Sequence, residues 1–338
     1  MKSDMKDLII NDYGIDFSSL RNKTILITGA SGLIGIHLLS SLKKTQKDLN
    51  ITIYTWNKTK NNLFDFVFEN CNSIYSDITE VTNLDFLPDF DLIIHSSGYG
   101  QPSKFLQNKI KTIEINTTVT LRLLNKLKKG GSFLFISSSE VYNGLYENNV
   151  TEDQIGLTNP THPRSPYIES KRCGETICNI FRENGQNVKV VRLGITYGPG
   201  TQIGDTRAIN SLIDKGLNNE TIKLLDNGSS IRSFCYINDA VEMIWNVLLK
   251  GKDFIYNVSN NQNMSILDLS RIIGDQLNKK VIPSEDKNGL VGNPKYVNLS
   301  IDRYLNEFEK SNFTDIKNGI ENTIKWQIKL KKYGELVK

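Results

Sequence analysis

The chain has 338 residues, 38% of them hydrophobic and 23% charged, with a formal net charge of +4. This length fits one large α/β unit or a main domain with a smaller lobe, and the ordinary composition argues against disorder. The chain has only three histidines, which excludes a histidine-rich metal site. Its small, diffuse positive charge does not indicate nucleic-acid binding but suits an anionic small molecule.

The first predicted elements are a strand, a glycine turn and a helix, which follow a polar N-terminal extension of residues 1–22. The apolar run Thr24–Thr28 predicts a buried strand, and Leu33–Leu42 predicts a helix. Between them, Gly29 permits the tight turn, Gly32 lets a pyrophosphate approach the backbone, and Gly35 lets the helix pack on the sheet. The pattern predicts a dinucleotide site; an ordinary strand–turn–helix corner is the alternative.

Strands and helices alternate through residues 23–197, which predicts a doubly wound parallel Rossmann sheet with right-handed crossovers. The further predicted strands are Ile51–Trp56, a short strand before Asp77, Asp91–His95, Ser132–Ser137 and Val188–Leu193. The predicted helices are 104–128, ended by the Gly130–Gly131 pair, and Tyr167–Asn184. Residues 198–338 predict a smaller, partly interleaved substrate lobe, with short elements near 206–218, 222–225, 239–249 and 265–277 and a terminal helix at 314–334.

A tyrosine and a lysine four residues apart form the second informative motif. Tyr167 and Lys171 share one face of a predicted helix. A neighbouring ammonium favours the phenolate and lowers the tyrosine pKa, so Tyr167 is a candidate general base. Ser138 and Glu140 follow a strand at its carboxyl end, where such sheets bind ligands. Ser138 can hydrogen-bond a substrate oxygen, and Glu140 is a candidate second acid/base; a solvated helix pair and an ordinary strand-end turn are the alternatives.

Together these motifs resemble the extended short-chain dehydrogenase/reductases of the NAD-dependent epimerase/dehydratase family, which modify nucleotide sugars. The resemblance runs from about residue 22 to 310 and also includes Asp77-Ile78, Asn116, Arg192, Tyr197–Gly200, Arg232–Asp239 and the late strand at Asn257. Locally it is strongest to UDP-glucuronate decarboxylases, through Ser138-Ser139-Glu140, the residues 167–176 and Asp205-x-Arg207.

The resemblance implies specific site residues and partners. The catalytic residues are Tyr167, Lys171, Ser138 and Glu140. The cofactor residues are Gly29, Ser31, Gly32, Leu33, Ile34, Gly35, Asn57, Asp77, Ile78, Ser96, Asn116, Tyr167 and Lys171. The substrate residues are Ser139, Arg207 and Arg232, the last on the nucleotide diphosphate. The resemblance implies NAD or NADP as cofactor, no metal, a nucleotide-diphosphate sugar as substrate, and a homodimer formed by the helices near 104–128 and 167–184.

Three positions depart from the family pattern. The decarboxylase arginine is missing from Gly292–Asn298, and a frequent substrate asparagine is replaced by Ile195. The second strand ends without the acid that binds the ribose in NAD enzymes, and Thr55, Asn57 and Lys58 can tolerate a 2′-phosphate, so NAD and NADP both stay open.

The main hypothesis is NAD(P)-dependent oxidation at sugar C4 by an epimerase or dehydratase, and Glu140 ranks dehydration above epimerisation. A one-way NADPH-dependent 4-keto-sugar reductase, a UDP-glucuronate decarboxylase-like enzyme and a non-catalytic dinucleotide-binding protein are the alternatives. The cysteines lack metal spacing, no apolar run reaches the ~20 residues of a membrane span, and no signal peptide is recognised. These features predict reduced thiols and a cytoplasmic location.

Overall fold

The computed structural model describes residues 5–82, 84–145, 147, 149–260, 263–285 and 296–336. The strands are β1 Thr24–Thr28, β2 Thr52–Asn57, β3 Cys71–Tyr75, β4 Phe90–His95, β5 Leu127–Ser138, β6 Asn187–Leu193, β7 Ile195–Tyr197, β8 Thr221–Lys223, β9 Ile231–Tyr236, β10 Ile255–Val258, β11 Asn263–Ser265, β12 Lys280–Ile282 and β13 Tyr296–Val297. The α-helices are Leu33–Leu42, Asp65–Phe68, Pro102–Gln107, Lys109–Glu114, Thr120–Leu124, Ser165–Glu183, Ala208–Asn218, Ile237–Lys250, Ile266–Leu277, Asp302–Glu307 and Ile316–Leu336.

Seven strands form one sheet in the order β10-β6-β5-β4-β1-β2-β3, and every pairing in it is parallel. The order reverses between β1 and β4, which creates a switch point with a crevice at the carboxyl ends of these strands. The predicted doubly wound parallel sheet is confirmed. Its edge strand β10 comes from the second half of the chain, beside β6.

The sheet is buried on both faces, as its apolar strands predict. In β1, Ile25 and Ile27 belong to the larger core cluster, whereas Leu26 belongs to a second cluster on the opposite face. This alternation follows from the period of two residues in a strand. The N-terminal extension adds to the larger cluster, because Ile9 and Phe17 are buried in it.

The long helix predicted over residues 104–128 is wrong at its C-terminal end. The helical segment runs from Pro102 to Leu124, with a break at Asn108 and a five-residue π turn at Ile115–Val119, and Leu127 already begins β5. The Gly130–Gly131 pair therefore lies within a strand and does not end a helix. Gly130 has φ +77°. The register with β4 also shifts near here. Both features indicate a β-bulge, which a run of apolar residues does not reveal.

The smaller strands form two further sheets. β9 pairs with β7, β11 and β13, and β8 pairs with β12. The terminal helix packs back on the main domain through Trp326, whose ring stacks on Phe64 at 5.8 Å. Among the residues that the structure describes, no helix combines the length and apolar character needed to cross a membrane.

Candidate active site

The glycine turn lies at the carboxyl end of β1, beside the switch point of the sheet. Gly29 has φ +66°, and a Cβ there would lie 2.7 Å from the carbonyl oxygen of Ser96. A Cβ on Gly35 would lie 2.4 Å from the carbonyl oxygen of Gly29. Gly32 precedes the helix in extended conformation, and no side chain caps the first helical N–H groups. These N–H groups and the positive end of the helix dipole could hold an anion.

The end of β2 supports this turn from the other side. Ser31 donates its backbone N–H to Asn57 Oδ1 at 2.7 Å. Asn57 Nδ2 and Asn116 Oδ1 are buried and have no hydrogen-bond partner among the described residues. Unsatisfied buried polar atoms are rare in native proteins. These two atoms, at predicted cofactor residues, are available to a polar molecule such as a dinucleotide.

Asp77 lies between two lysines. Its Oδ2 is 2.6 Å from Lys111 Nζ and 3.1 Å from Lys58 Nζ. Burial alone raises the pKa of Asp77, but the hydrogen bonds from Lys111, Thr79 and Lys58 outweigh it and hold the pKa well below its usual value. Asp77 is therefore a fixed carboxylate, and the neighbouring Ile78 is buried.

The three residues that were predicted to tolerate a 2′-phosphate have other partners. Thr55 Oγ1 donates to Ser73 Oγ at 3.0 Å. Asn57 holds the glycine turn, and Lys58 contacts Asp77. The structure therefore gives these residues structural roles and removes the main argument for a 2′-phosphate site. Ser96 is likewise engaged, because its hydroxyl donates to the carbonyl of Thr28 at 2.6 Å.

Tyr167 and Lys171 are both buried in the Ser165–Glu183 helix. Lys171 Nζ donates to the carbonyl of Ile136 at 2.7 Å and lies 5.9 Å from the centre of the Tyr167 ring. Burial lowers the pKa of Lys171 to about 7. Burial raises the pKa of Tyr167 to about 12, against the opposing effect of a hydrogen bond with Ser138. The prediction that Lys171 lowers the pKa of Tyr167 is wrong for this structure, because burial has the largest effect on the pKa of both groups.

The residues after β5 include Glu140, the candidate second acid/base, and the contacts that position it. The Ser138 hydroxyl accepts the backbone N–H of Glu140 at 3.2 Å and so begins a short 3-10 turn that also contains the buried Ser139. Arg164 binds the Glu140 carboxylate with two hydrogen bonds, of which Nε to Oε2 is 3.0 Å long. Glu140 is thus held by a bidentate guanidinium pair.

The predicted substrate arginines come from the second half of the chain, where Arg207 immediately precedes the helix Ala208–Asn218. Arg207 pairs with Asp205, with Nη2 2.6 Å from Oδ2. Arg232 lies in β9, where burial lowers its pKa to about 10 despite the nearby charge of Glu140. Both the Arg207 and Glu140 charges act on the Tyr167 phenol. The structure therefore brings the predicted catalytic and substrate residues together near the carboxyl ends of the parallel strands.

The loop that carries Arg207 also crosses the crevice. Gln202 Nε2 donates to the carbonyl of Ser31 in the glycine turn at 2.9 Å. Near the other end of the loop, the hydroxyls of Thr206 and Ser103 lie 3.0 Å apart. The loop therefore contacts both sides of the switch point, above the predicted dinucleotide site.

A buried ion pair links β6 to the helix that carries Tyr167 and Lys171. Arg192, at the end of β6, contacts Glu175 of the long helix, with Nη2 2.7 Å from Oε2. Glu175 also accepts the hydroxyl of Ser137, and Arg192 Nη1 donates to Tyr142 Oη at 2.8 Å. Arg192 therefore connects β6 with the Ser165–Glu183 helix.

Two side chains beside the candidate catalytic residues, Arg164 and Phe105, were missed from the sequence. Arg164 lies three residues before Tyr167, and a basic residue so close to the motif was the available signal; Phe105 gave none.

The decarboxylase arginine was predicted to be missing from Gly292–Asn298, and residues 292–295 of that segment lie outside the described residues. Val297 and Asn298 line a small cavity with Ser139 and Glu140. Ile195 lies in β7, beside Phe234.

Comparisons with known proteins agree with this geometry. The model of the NAD dependent epimerase/dehydratase family matches residues 25–259. The chain is 30% identical over 254 residues to UDP-glucuronic acid decarboxylase 1 of Xenopus tropicalis, covering 74% of this chain and 59% of that protein. It is 31% identical over 265 residues to UDP-glucuronic acid decarboxylase 5 of Arabidopsis thaliana, covering 77% of this chain and 76% of that protein. The chain thus spans only about three fifths of the first relative.

Solved structures show the same fold. UDP-glucuronic acid 4-epimerase from Bacillus cereus, in complex with UDP-glucuronic acid and NAD, has a TM-score of 0.78 at 24% identity, covering 91% of this chain and 99% of that chain. A dTDP-glucose 4,6-dehydratase from Bacillus anthracis, in complex with NAD, has a TM-score of 0.77 at 19% identity, covering 93% and 99%.

Proposed function

Because the chain belongs to the NAD dependent epimerase/dehydratase family, we propose that it is a nucleotide-sugar epimerase or dehydratase that oxidises its substrate at sugar C4. One observation carries the proposal: the buried Tyr167 hydroxyl shares a hydrogen bond with Ser138 at the carboxyl end of β5. This is the edge of the sheet at which ligands bind in doubly wound folds.

The residues of the crevice fit NAD. The glycine turn and the uncapped helix N-terminus suit the pyrophosphate, and the buried unpaired atoms of Asn57 and Asn116 offer a donor and an acceptor. Asp77 and Ile78 are assigned to the adenine end and Lys171 to the nicotinamide ribose. NAD is preferred to NADP because Lys58 is engaged with Asp77. When bound, NAD supplies a hydride acceptor for the sugar carbinol.

In the proposed mechanism, Tyr167 takes the proton of the C4 hydroxyl while Ser138 hydrogen-bonds the same oxygen. The buried phenol needs stabilisation of its charged form, since burial raises its pKa to about 12. The hydrogen bond with Ser138 and the positive charges of Arg164 and Arg207 act in that direction. Glu140 is positioned to move the proton on the carbon beside the new ketone, which favours dehydration over simple inversion.

A UDP-glucuronate decarboxylase-like activity is the second candidate, and the identity with the decarboxylase relatives favours it. Arg207 and Arg232 are assigned to the nucleotide diphosphate and sugar in either case. We also assign residues 23–197 mainly to cofactor binding and 198–338 mainly to the substrate. The free cysteines suit the predicted cytoplasmic location.

The exposed apolar side chains of the helices at 102–124 and 165–183 support a homodimer. These side chains are Leu106, Ile110, Ile113, Leu121 and Ile180. Apolar residues grouped on neighbouring helices mark protein interaction surfaces. We therefore assign the dimer interface to these two helical segments.

The test is incubation of the protein with UDP-, dTDP-, GDP- and CDP-sugars, followed by mass spectrometry of the products. Loss of one water indicates dehydration, loss of carbon dioxide indicates decarboxylation, and unchanged mass with altered retention indicates epimerisation. An enzyme that recycles its cofactor needs only catalytic NAD, whereas consumption of NADPH in step with product identifies a reductase. No change of any nucleotide sugar contradicts the proposal.

A further inference from the structure

Two side chains that the motifs do not include connect Tyr167, the candidate base, with Glu140, the candidate second acid/base. We propose that Arg164 and Phe105 are positioning residues, which hold Glu140 and Tyr167 in fixed relative placement and keep the charge of Glu140 balanced beside the phenol. The inference rests on the proposed function for the chemistry that Glu140 and Tyr167 perform. It assigns roles to residues outside the tyrosine–lysine motif and the glycine turn.

The four side chains form a continuous array. Arg164 binds both oxygens of Glu140, and its guanidinium lies 5.0 Å from the centre of the Phe105 ring. Phe105 in turn stacks on Tyr167, with ring centres 4.5 Å apart and planes 11° apart. Arg164, Phe105 and Tyr167 are all buried. A guanidinium suits this place, because it forms a bidentate pair with a carboxylate while it stacks on an aromatic face.

The array comes from three separate parts of the chain. Phe105 belongs to the Pro102–Gln107 helix, Glu140 follows β5, and Arg164 immediately precedes the helix of Tyr167. A residue with only a local packing role would not need to contact both the carboxylate and the ring that covers the phenol. The contacts of Arg164 thus make the placement of one catalytic group depend on the other.

The array also has an electrostatic role. The charge of Glu140 raises the pKa of Tyr167, whereas those of Arg164 and Arg207 lower it and the hydrogen bond with Ser138 lowers it further. Lys171, on the same helix, is a further titratable neighbour and lies 5.9 Å from the Tyr167 ring. Arg232 also faces Glu140 and Arg164 from β9 and balances part of the Glu140 charge. Removal of the Arg164 charge leaves less compensation for Glu140, so Tyr167 ionises at higher pH. Removal of the Glu140 charge has the opposite effect.

The experiment measures how fast bound NAD is reduced on mixing the holoenzyme with its nucleotide sugar, as a function of pH. This step precedes any proton transfer by Glu140, so variants of Glu140 can be compared. Arg164→Gln should shift the rising limb of the profile upward by about one pH unit, and Glu140→Gln should shift it downward by a similar amount. In the double variant, the rising limb should lie close to its wild-type pH.

Conservative variants separate charge from geometry. Arg164→Lys keeps the charge but not the bidentate pair, so the limb should stay in place while kcat falls about tenfold. Phe105→Leu should lower kcat with little change in KM, and Phe105→Tyr should restore it. Arg182→Gln is the control, because Arg182 lies 5.3 Å over Phe254 at the other end of the same helix. It should leave both the rate and the limb unchanged.

If the rising limb of the rate profile lies at the wild-type pH in both Arg164→Gln and Glu140→Gln, the electrostatic role is overturned. An unchanged kcat in Phe105→Leu overturns the positioning role. Crystal structures of Arg164→Gln and Phe105→Leu test the inference without turnover. Displaced Glu140 and Tyr167 side chains support it, and wild-type positions in both variants overturn it. Failure of the wild type to convert any nucleotide sugar contradicts the proposed function but leaves this structural test decisive for the positioning contacts.

Discussion

Lys171 holds its ammonium 5.9 Å from the centre of the Tyr167 ring, one helical turn further along the same helix. Burial drives the two pKa values in opposite directions, to about 7 for Lys171 and to about 12 for Tyr167. Between these values each group favours its neutral form. The pair is therefore a buried acid and base whose ionisation depends on its neighbours, as functional sites require.

The pH dependence of stability should reveal the neutral Lys171. Between pH about 7 and about 10.5 the unfolded chain binds a proton here that the folded chain does not, so this residue contributes stability that rises with pH. Below pH 7 both states are protonated, and the buried charge costs most. The stability of Lys171→Met relative to the wild type should therefore be greater at pH 6 than at pH 11, by about 5 kcal/mol at most.

Urea unfolding at several pH values measures this difference. Lys129→Met replaces an exposed lysine and is the control, for which the difference should stay flat. A flat difference for Lys171→Met as well would show that the folded protein retains the charge.

Tyr167→Phe should abolish most of the activity, because the phenol oxygen is the proposed base. We expect a loss of about 10²–10⁴-fold in kcat with NAD affinity retained. Rate measurements and equilibrium binding check the two parts. Tyr54→Phe, in a half-buried tyrosine of β2 that packs edge-on against Phe90, should retain activity. Loss of NAD binding in Tyr167→Phe would instead make Tyr167 a structural residue.

Gly35→Ala should destabilise the fold and weaken NAD binding together. The new methyl group would lie 2.4 Å from the carbonyl oxygen of Gly29 and 2.6 Å from Ala30 Cα, so backbone atoms must move. We expect a loss of about 1–3 kcal/mol in the free energy of unfolding. Gly100→Ala, which meets nothing within 4 Å, is the stability control. Equal stability of the two variants would mean that the turn is looser than its contacts indicate.

Glu175→Ala should be strongly destabilising, because it leaves Arg192 buried without its carboxylate partner. A loss of about 3–5 kcal/mol is expected in chemical denaturation. Replacing both partners, as Glu175→Leu with Arg192→Met, should restore part of that loss. For comparison, Glu321→Ala removes the exposed pair with Lys325 and should cost about 0.5 kcal/mol or less. Similar losses at both sites would contradict a special role of the buried pair.

Ile110→Glu should convert the proposed dimer into monomers. Ile110 is 75% exposed in the isolated chain, and a carboxylate at a dimer interface would be buried without a partner. Light scattering coupled to size-exclusion chromatography measures the mass. Leu157→Glu, at a side chain that is 84% exposed but lies outside both helical segments, should leave the mass unchanged. A monomeric wild type would refute the assigned interface.

Local features of the sequence predicted the central sheet well. β1 and the helix after the glycine turn have the bounds that their apolar pattern indicated. Both depend on short-range properties, namely side-chain period and the conformational freedom of glycine. The boundary near Leu127 was wrong because an apolar helix runs into an apolar strand there, and periodicity does not separate the two.

The sequence by itself determined the fold class and the glycine turn, and it identified the tyrosine, serine and lysine as catalytic candidates, because these features follow from local patterns along the chain. Only the tertiary structure decided the charge state and partners of these groups. Arg164 binds Glu140 from 24 residues away, and Phe105 covers Tyr167 from a separate helix. Burial and Coulomb forces depend on distance in space rather than along the chain, so desolvation outweighs the effect of the neighbouring lysine.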